Sequence, residues 1–292
     1  GFFRGRESPD AAAFSAAPIR LPPTLLATMK TISAYVIAFN EADKIEAAVS
    51  SVLWADEVIL VDSGSTDGTA EIAARLGARV VQIPFKGFGD LRNRALVECK
   101  CDWIFSLDSD ERCTAETRDE ILELLAADPP HDLYFVPRRN WLMGGWVRHG
   151  GWYPNYRQPQ LFKRGALSYT LEPVHEGYMS HSEAGLGYIR NPIWQMPFRN
   201  FEEIIRKMNR YSTLGAVKLE REGATMWRAL GHGVWAFIKH YFVKLGCLDG
   251  WAGFVIAFGN LEGSFWRHAK CHELYEDWTA PQQEPLRRPG KP

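Results

Sequence analysis

From residue 31 onward, the apolar and polar positions follow two alternating periods. Apolar runs too short for helices occur at "TISAYVIAF" (31–39), "EVILVD" (57–62), "ARVVQI" (78–83), "DWIFSL" (102–107) and "DLYFVP" (132–137), and each predicts a buried strand. After the first, Ile45, Ala48, Val49 and Val52 fall on one face of a helix, with Asn40 expected as its N-cap and Asp43 as the acidic partner of a capping box. "SGSTDG" (63–68) predicts a turn before a helix that stops at Gly77. A loop with Gly87 and Gly89 leads into a helix over 90–98, and a Thr114-capped helix runs to Ala127. Strand–helix–strand units of this length imply a parallel sheet with helices on both faces. Right-handed crossovers then bring the carboxyl ends of the strands to one edge.

Open α/β sheets bind ligands at that edge. Asn40 and Glu41 follow the first strand, Asp62 ends the second, and Asp108 and Asp110 end the fourth. Singly, each reads as a cap or a turn former. Gathered on one rim, carboxylates repel one another unless a cation sits among them. Hard oxygen ligands suit Mg²⁺ or Mn²⁺, which keep waters and take further ligands from substrate phosphates. The spacing therefore predicts one carboxylate orienting a nucleotide and the other holding a divalent ion against its diphosphate. No GxGxxG follows the first strand and no GxxxxGK[ST] occurs, which argues against a dinucleotide dehydrogenase and a P-loop NTPase. Lys86, Arg92 and Arg94 become candidate phosphate partners, equally readable as residues of a solvated helix.

Composition narrows this further. A net charge of −1, with 24% of 292 residues charged, provides no field for a nucleic-acid partner, and none is expected. Five cysteines without a CxxC fit a reduced, cytosolic setting. His268, Cys271 and His272 read as one polar helix face rather than a metal site, because no fourth ligand accompanies them. Residues 1–28 carry Pro9, Pro18, Pro22 and Pro23, with no sustained period and no apolar signal core. Met29 reads as the natural start, with 1–28 a disordered extension and 279–292 a disordered tail.

The C-terminal third is read as helical. Ile204, Ile205, Met208, Tyr211, Leu214 and Val217 repeat at helical spacing between an Asn200 cap, with Glu203 three residues on, and Gly223. A second helix carries Trp227, Leu230, Val234, Phe237, Tyr241 and Leu245, interleaved with Arg228, Lys239, His240 and Lys244. "GWAGFVIAFGNL" (250–261) is apolar but shorter than the ~20 residues a spanning helix needs, so no transmembrane segment is expected. Basic amphipathic helices with Trp and Phe suit an anchor lying in the membrane interface, and 224–266 is read that way. The aromatic, glycine-rich stretch 138–160 has two open readings, a mobile acceptor loop or an aromatic cluster over the sheet edge.

"VIAFNEADKI", "VILVDSGSTDGT", "KGFGDLRNRAL" and "WIFSLDSDER" resemble, in order and spacing, the nucleotide-sugar domain of family 2 glycosyltransferases. A looser likeness continues through "RQPQLFKRG", "LEPVHEGY", "RKMNRYSTLGA" and "GCLDGWAGF", in the manner of the lipopolysaccharide core β-1,4-glucosyltransferase branch. The resemblance implies a GT-A fold, Rossmann-like with a mostly parallel sheet, over 29–200, and a helical, membrane-associating extension over 201–278. It implies an inverting enzyme that uses a UDP-sugar, UDP-glucose being preferred, and a divalent cation. The implied acceptor is a lipid-anchored oligosaccharide, the lipopolysaccharide inner-core heptose, met at the cytoplasmic face of the inner membrane. Residue by residue, Asn40, Glu41 and Asp62 match base and ribose contacts, Asp108 and Asp110 match the DxD pair with Asp110 the direct metal ligand, and Glu176 matches the general base. Glu172 and His175 stay open as alternatives for that base. Gln160 departs from the pattern, which has Arg before Leu161-Phe162 in many relatives. A transferase for another polyprenyl-linked or surface-polysaccharide acceptor, and a non-catalytic nucleotide-sugar-binding scaffold, are the competing readings.

Overall fold

The computed structural model describes residues 30–171, 177–219 and 225–275. The regions expected to be disordered, 1–28 and 279–292, lie outside them. The first half alternates as its sequence pattern predicts: β1 (Ile32–Ala38), α1 (Ala42–Ser50), β2 (Glu57–Asp62), α2 (Thr69–Arg75), β3 (Arg79–Gln82), α3 (Phe88–Glu98) and β4 (Trp103–Asp108). A short β5 (Glu111–Arg112) precedes α4 (Ala115–Ala126), whose Thr114 cap accepts from Thr117 N as expected. Then follow β6 (Leu133–Phe135), β7 (Arg138–Leu142), β8 (Gly145–Val147), β9 (Leu161–Lys163), β10 (Leu167–Tyr169), β11 (Tyr178–Ser180), β12 (Leu186–Tyr188) and β13 (Ile193–Gln195).

The central sheet has the order β12-β6-β9-β4-β1-β2-β3. All its neighbours pair in parallel except β9, which runs antiparallel to both β4 and β6. Period-two alternation sorts its side chains. Ala34, Val36, Leu60 and Phe105 pack with Ile45 and Val49 of α1 and Ile121 and Leu125 of α4 on one face. Tyr35, Ile37, Ile59 and Ile104 pack with Leu91 and Ala95 of α3 and Tyr169 of β10 on the other. This is the doubly covered α/β arrangement that the strand–helix alternation implies. One strand lies outside the sequence reading: β9, inserted antiparallel between β4 and β6. A three-residue strand leaves no periodic trace to read.

The segment 138–160 is not an open loop through its first half. β7 and β8 form a hairpin across Met143-Gly144, both in the left-handed region, and join β13 and β5 in a second sheet of order β5-β13-β7-β8. Trp146 and Trp141 meet Trp194 edge-on, and the Arg139 guanidinium lies 4.6 Å from the Trp146 ring centre. The aromatic-cluster reading describes this part.

Two expected caps at α1 fail. Asn40 has φ +53° and stands one residue before the cap position, Glu41, whose side chain makes no capping bond. Asp43 faces Arg199 instead of closing a capping box. The Asn200 cap holds, accepting from Glu203 N at the start of α5 (Phe201–Ala216). That helix stops at Ala216 rather than continuing toward Gly223, because Lys218 N and Leu219 N bond three residues back and tighten the last turn. Residues 220–224 are outside the described ones. α6 (Met226–Ile238) continues through a π-helical turn at Lys239–Val243 and breaks at Leu245, φ +58°. α7 (Gly250–Glu273) follows and runs twelve residues beyond the apolar run that marks its start. No single described helix is long and apolar enough to cross a membrane, although the two segments, bent by 72° at the break, pass together on length and composition.

Candidate functional site

The carboxyl ends of β1, β2 and β4 lie side by side, with Ala38 opposite Asp62 and Ile37 opposite Asp108. Asn40, Glu41, Asp62, Asp108 and Asp110 are therefore brought to one rim, as the sequence predicts.

Asn40 and Asp62 build a loop there. Asp62 is fully buried, and its carboxylate accepts from the backbone N–H groups of Gly64 and Ser65 and from Ser65 Oγ. Asn40 Oδ1 accepts from Thr66 N at 2.9 Å, while Asn40 N donates to Ser65 Oγ at 2.8 Å. The "DSGST" turn is thus locked to the end of β1. Glu41 pairs with Lys44 at 3.4 Å and with Arg199, 158 residues further along the chain. Arg199 also forks onto both oxygens of Asp43 and, mainly through that hydrogen bond, holds the Asp43 carboxyl below its ordinary value.

Asp108 and Asp110 occupy contrasting surroundings. Arg92, reaching from α3 with only 4% of its surface exposed, donates to Ser106 Oγ at 3.1 Å and to Asp108 Oδ1 at 2.6 Å. Its guanidinium lies 5.6 Å from the Tyr169 ring centre. Asp108 sits in a recess: its side chain is 31% accessible, yet protein surrounds it. Burial opposes its charge, but Arg92 and Arg138 outweigh that and hold its carboxyl below the usual range. Among the described residues, Asp110 has no such partner close by. The nearest described donor, Gln195 Nε2, is 3.4 Å from each carboxylate oxygen. Burial first, then repulsion by Asp108 and Glu111, pushes its carboxyl up to about 7, partly offset by Lys207 and Lys44.

The turn between them is held by Glu111. One carboxylate oxygen accepts from Asp108 N at 3.0 Å and from Gln160 Nε2 at 2.8 Å; the other accepts from Arg138 Nε. Gln160, the departure from the family pattern, is thus a buried brace, with Nε2 also donating to Ser106 O. Sequence reasoning missed Glu111, Arg138, Gln195, Arg199, Lys44 and Lys207 as members of the site. For Glu111 a signal existed, its place directly after the DxD.

Across from this rim, Gly89 and Asn93 of α3 grip β10. Asn93 exchanges two hydrogen bonds of 2.8 Å with the backbone of Tyr169. A Cβ on Gly89 would come within 1.9 Å of Thr170 O, so only glycine permits this approach. Thr170 in turn bonds Gly177 through backbone and hydroxyl. The chain between, with Glu172, His175 and Glu176, lies outside the described residues. Of the basic candidates, Arg94 is bound to Pro84 O and Asp90, and Lys86 is exposed.

A divalent cation fits these residues. Among the described residues no three His, Cys, Asp or Glu side chains gather as a complete ligand set. A pair of hard oxygen donors, one of them lacking a counter-charge, matches an ion that completes its shell with water and phosphate. His268 bonds Ser264 O and stacks on His232, and Cys271 Sγ points to Leu219 O.

Residues 33–179 match the sequence profile of Glycosyl transferase family 2. The chain is 31% identical over 265 residues to an uncharacterised glycosyltransferase of Rickettsia bellii, covering 84% of this chain and 87% of that one. It is 29% identical over 255 residues to the lipopolysaccharide core biosynthesis glycosyltransferase LpsC of Rhizobium meliloti, covering 84% and 93%. Among solved structures, glucosyl-3-phosphoglycerate synthase from Mycobacterium tuberculosis is 28% identical across 42% of this chain and 50% of that one; its TM-score of 0.36 adds nothing to the assignment.

Proposed function

The chain belongs to glycosyl transferase family 2, and from that premise we propose that it moves glucose from UDP-glucose onto a heptose of the lipopolysaccharide inner core, with inversion. The observation that carries the chemistry is Asp110, a carboxylate short of counter-charge beside Asp108, whose own charge Arg92 secures. Similarity to a lipopolysaccharide core transferase supports the acceptor.

Asp110 and Asp108 would hold Mg²⁺ or Mn²⁺, which when bound offsets the charge that grows on a leaving diphosphate. Arg92, itself buried, orients Asp108. Asn40 and Asp62 hold the turn that forms the wall for base and ribose, and Glu41 stands at its side. Lys207 and Lys44 add positive potential where the diphosphate departs. Glu176 takes the proton of the acceptor hydroxyl as its oxygen bonds to the anomeric carbon and the bond from that carbon to the diphosphate oxygen breaks. A positioned base contributes ~10²–10⁴-fold.

In this reading the enzyme works peripherally on the cytoplasmic face of the inner membrane, where its helical extension would meet a lipid-anchored acceptor. Trp227, Trp235 and Trp251, 76%, 57% and 65% exposed, support this interfacial role.

The test is a panel of nucleotide sugars with Mn²⁺ and heptosylated lipid-anchored core, read by nucleoside diphosphate release and product mass. Transfer from UDP-glucose, lost in Glu176→Gln while UDP binding persists, is expected. Activity retained in Glu176→Gln, Glu172→Gln and His175→Gln alike refutes the base. No transfer from any donor refutes the function.

A further inference from the structure

A cavity of about 940 Å³ lies where the second sheet meets the helical layer, between Leu142 and Trp152 on one side and α5, α6 and α7 on the others. Its volume suits a substantial ligand. Much of its wall is apolar, with Ile204, Met208, Val255 and Ile256 among the lining residues. Its charge is one-sided: Lys207, Lys218, Lys239 and Arg267 line it, and among the described residues no Asp or Glu does. The stem of Arg267 is seated against Gly215, where an added Cβ would come within 2.8 Å of Arg267 Cδ. Its buried Nε has no hydrogen-bond acceptor among the described residues, which leaves a donor unspent at the wall. Lys207 joins this cavity to the rim, because it acts electrostatically on both Asp110 and Asp108.

We propose that this cavity receives the phosphate-bearing lipid end of the acceptor, seating its acyl portion on the apolar wall and its anionic groups on the four cations. The inference rests on the lipid-anchored acceptor proposed above. An apolar wall alone would accept any lipid; four cations in a lining that holds no Asp or Glu among the described residues select an anionic one. Continuity through Lys207 with the carboxylate rim favours the substrate over a bystander lipid.

Gly259 lines the cavity, and an added Cβ there meets nothing within 4 Å, so Gly259→Trp fills the space from inside α7. Lys218→Glu with Lys239→Glu cancels the net positive charge of the lining and leaves the volume. The binding probe is monomeric dodecyl phosphate, with dodecyl maltoside as the neutral control, measured by calorimetry. Circular dichroism and UDP·Mn²⁺ binding report the fold and the donor site. Dodecyl phosphate should bind the wild type and lose affinity by at least about tenfold in both variants, with UDP·Mn²⁺ binding unchanged. The KM for acylated acceptor should rise by a similar factor while that for de-acylated acceptor stays put. Equal binding of dodecyl phosphate to folded Gly259→Trp, or binding of dodecyl maltoside as tight as that of the phosphate, overturns the site. Loss of dodecyl phosphate binding with an unchanged KM for acylated acceptor overturns the acceptor as occupant in favour of a bilayer lipid. If the wild type transfers no sugar at all, the functional reading fails by itself, and the alkyl phosphate measurements still decide the cavity.

Discussion

Arg138 donates from Nε to Glu111 where both side chains are enclosed, 3% and 1% exposed, and the other Glu111 oxygen holds the backbone of Asp108. A buried pair of this kind positions more than it stabilises, since desolvation offsets much of its attraction. Breaking it from one side is another matter. Arg138→Met should cost about 3–5 kcal/mol by leaving a buried charge unpaired. Urea unfolding checks this. Arg138→Met with Glu111→Leu should regain much of that stability yet still bind UDP·Mn²⁺ poorly, because the Asp108 turn has lost its brace. Wild-type stability in the single variant would contradict the assignment.

Asp110 supplies a pH dependence with a definite sign. Its carboxyl is pushed up to about 7, above its ordinary value, so the metal-free fold gains stability from its protonated form. That gain is complete at pH values below the ordinary carboxylate range and is lost as pH rises through about 7. Asp110→Asn should therefore melt higher than the wild type at pH 8 without metal and equal to it at pH 4. Mn²⁺ binding requires the charged form, so it should strengthen as pH rises through about 7, and titrations of the Asn variant should show no such step.

Gly89→Ala tests the contact between α3 and β10. The added methyl meets a backbone carbonyl that cannot swing away, and overpacking of this kind costs ~1–3 kcal/mol. Because Thr170 and Gly177 bracket the residues 172–176, the variant should lose kcat while keeping its affinity for UDP. Unchanged kcat would mean that this grip does not act on the segment proposed to carry the base.

The exposed tryptophans of the helical extension give a fourth readout. Trp227→Glu with Trp251→Glu removes two large side chains from the surface, leaving the melting temperature within about 2 °C of wild type because neither is packed inside. Sedimentation with anionic vesicles should fall by about tenfold or more. Retained vesicle binding would transfer the role to another surface.

The rim was readable because it is local. β1, β2 and β4 each announce themselves as apolar runs, parallel winding fixes where they end, and Asn40, Asp62, Asp108 and Asp110 stand at those ends. Residues acting on that rim from a distance were not readable. Arg199 meets Glu41 across more than 150 residues, Gln160 reaches Glu111 from the start of a β9 that runs backwards beside β4, and Arg138 reaches it through the second sheet, where β13 joins β7 to β5. Asn40 was misread as a cap for a related reason: its side chain serves the neighbouring "DSGST" turn, a tertiary partner that helix-capping rules do not contain.

The reversed β9 has one more consequence. It pairs with β6, so the chain departs from the sheet after Phe135 and returns at Leu161 on the adjacent ladder, with the two ends one strand spacing apart. The excursion between those ends carries Arg138 and Gln160 back to Glu111, so it can change length only where both keep their places at the Asp108 turn. An insertion beyond that turn, at the Met143-Gly144 tip of the β7–β8 hairpin, would leave the carboxylate rim as it stands.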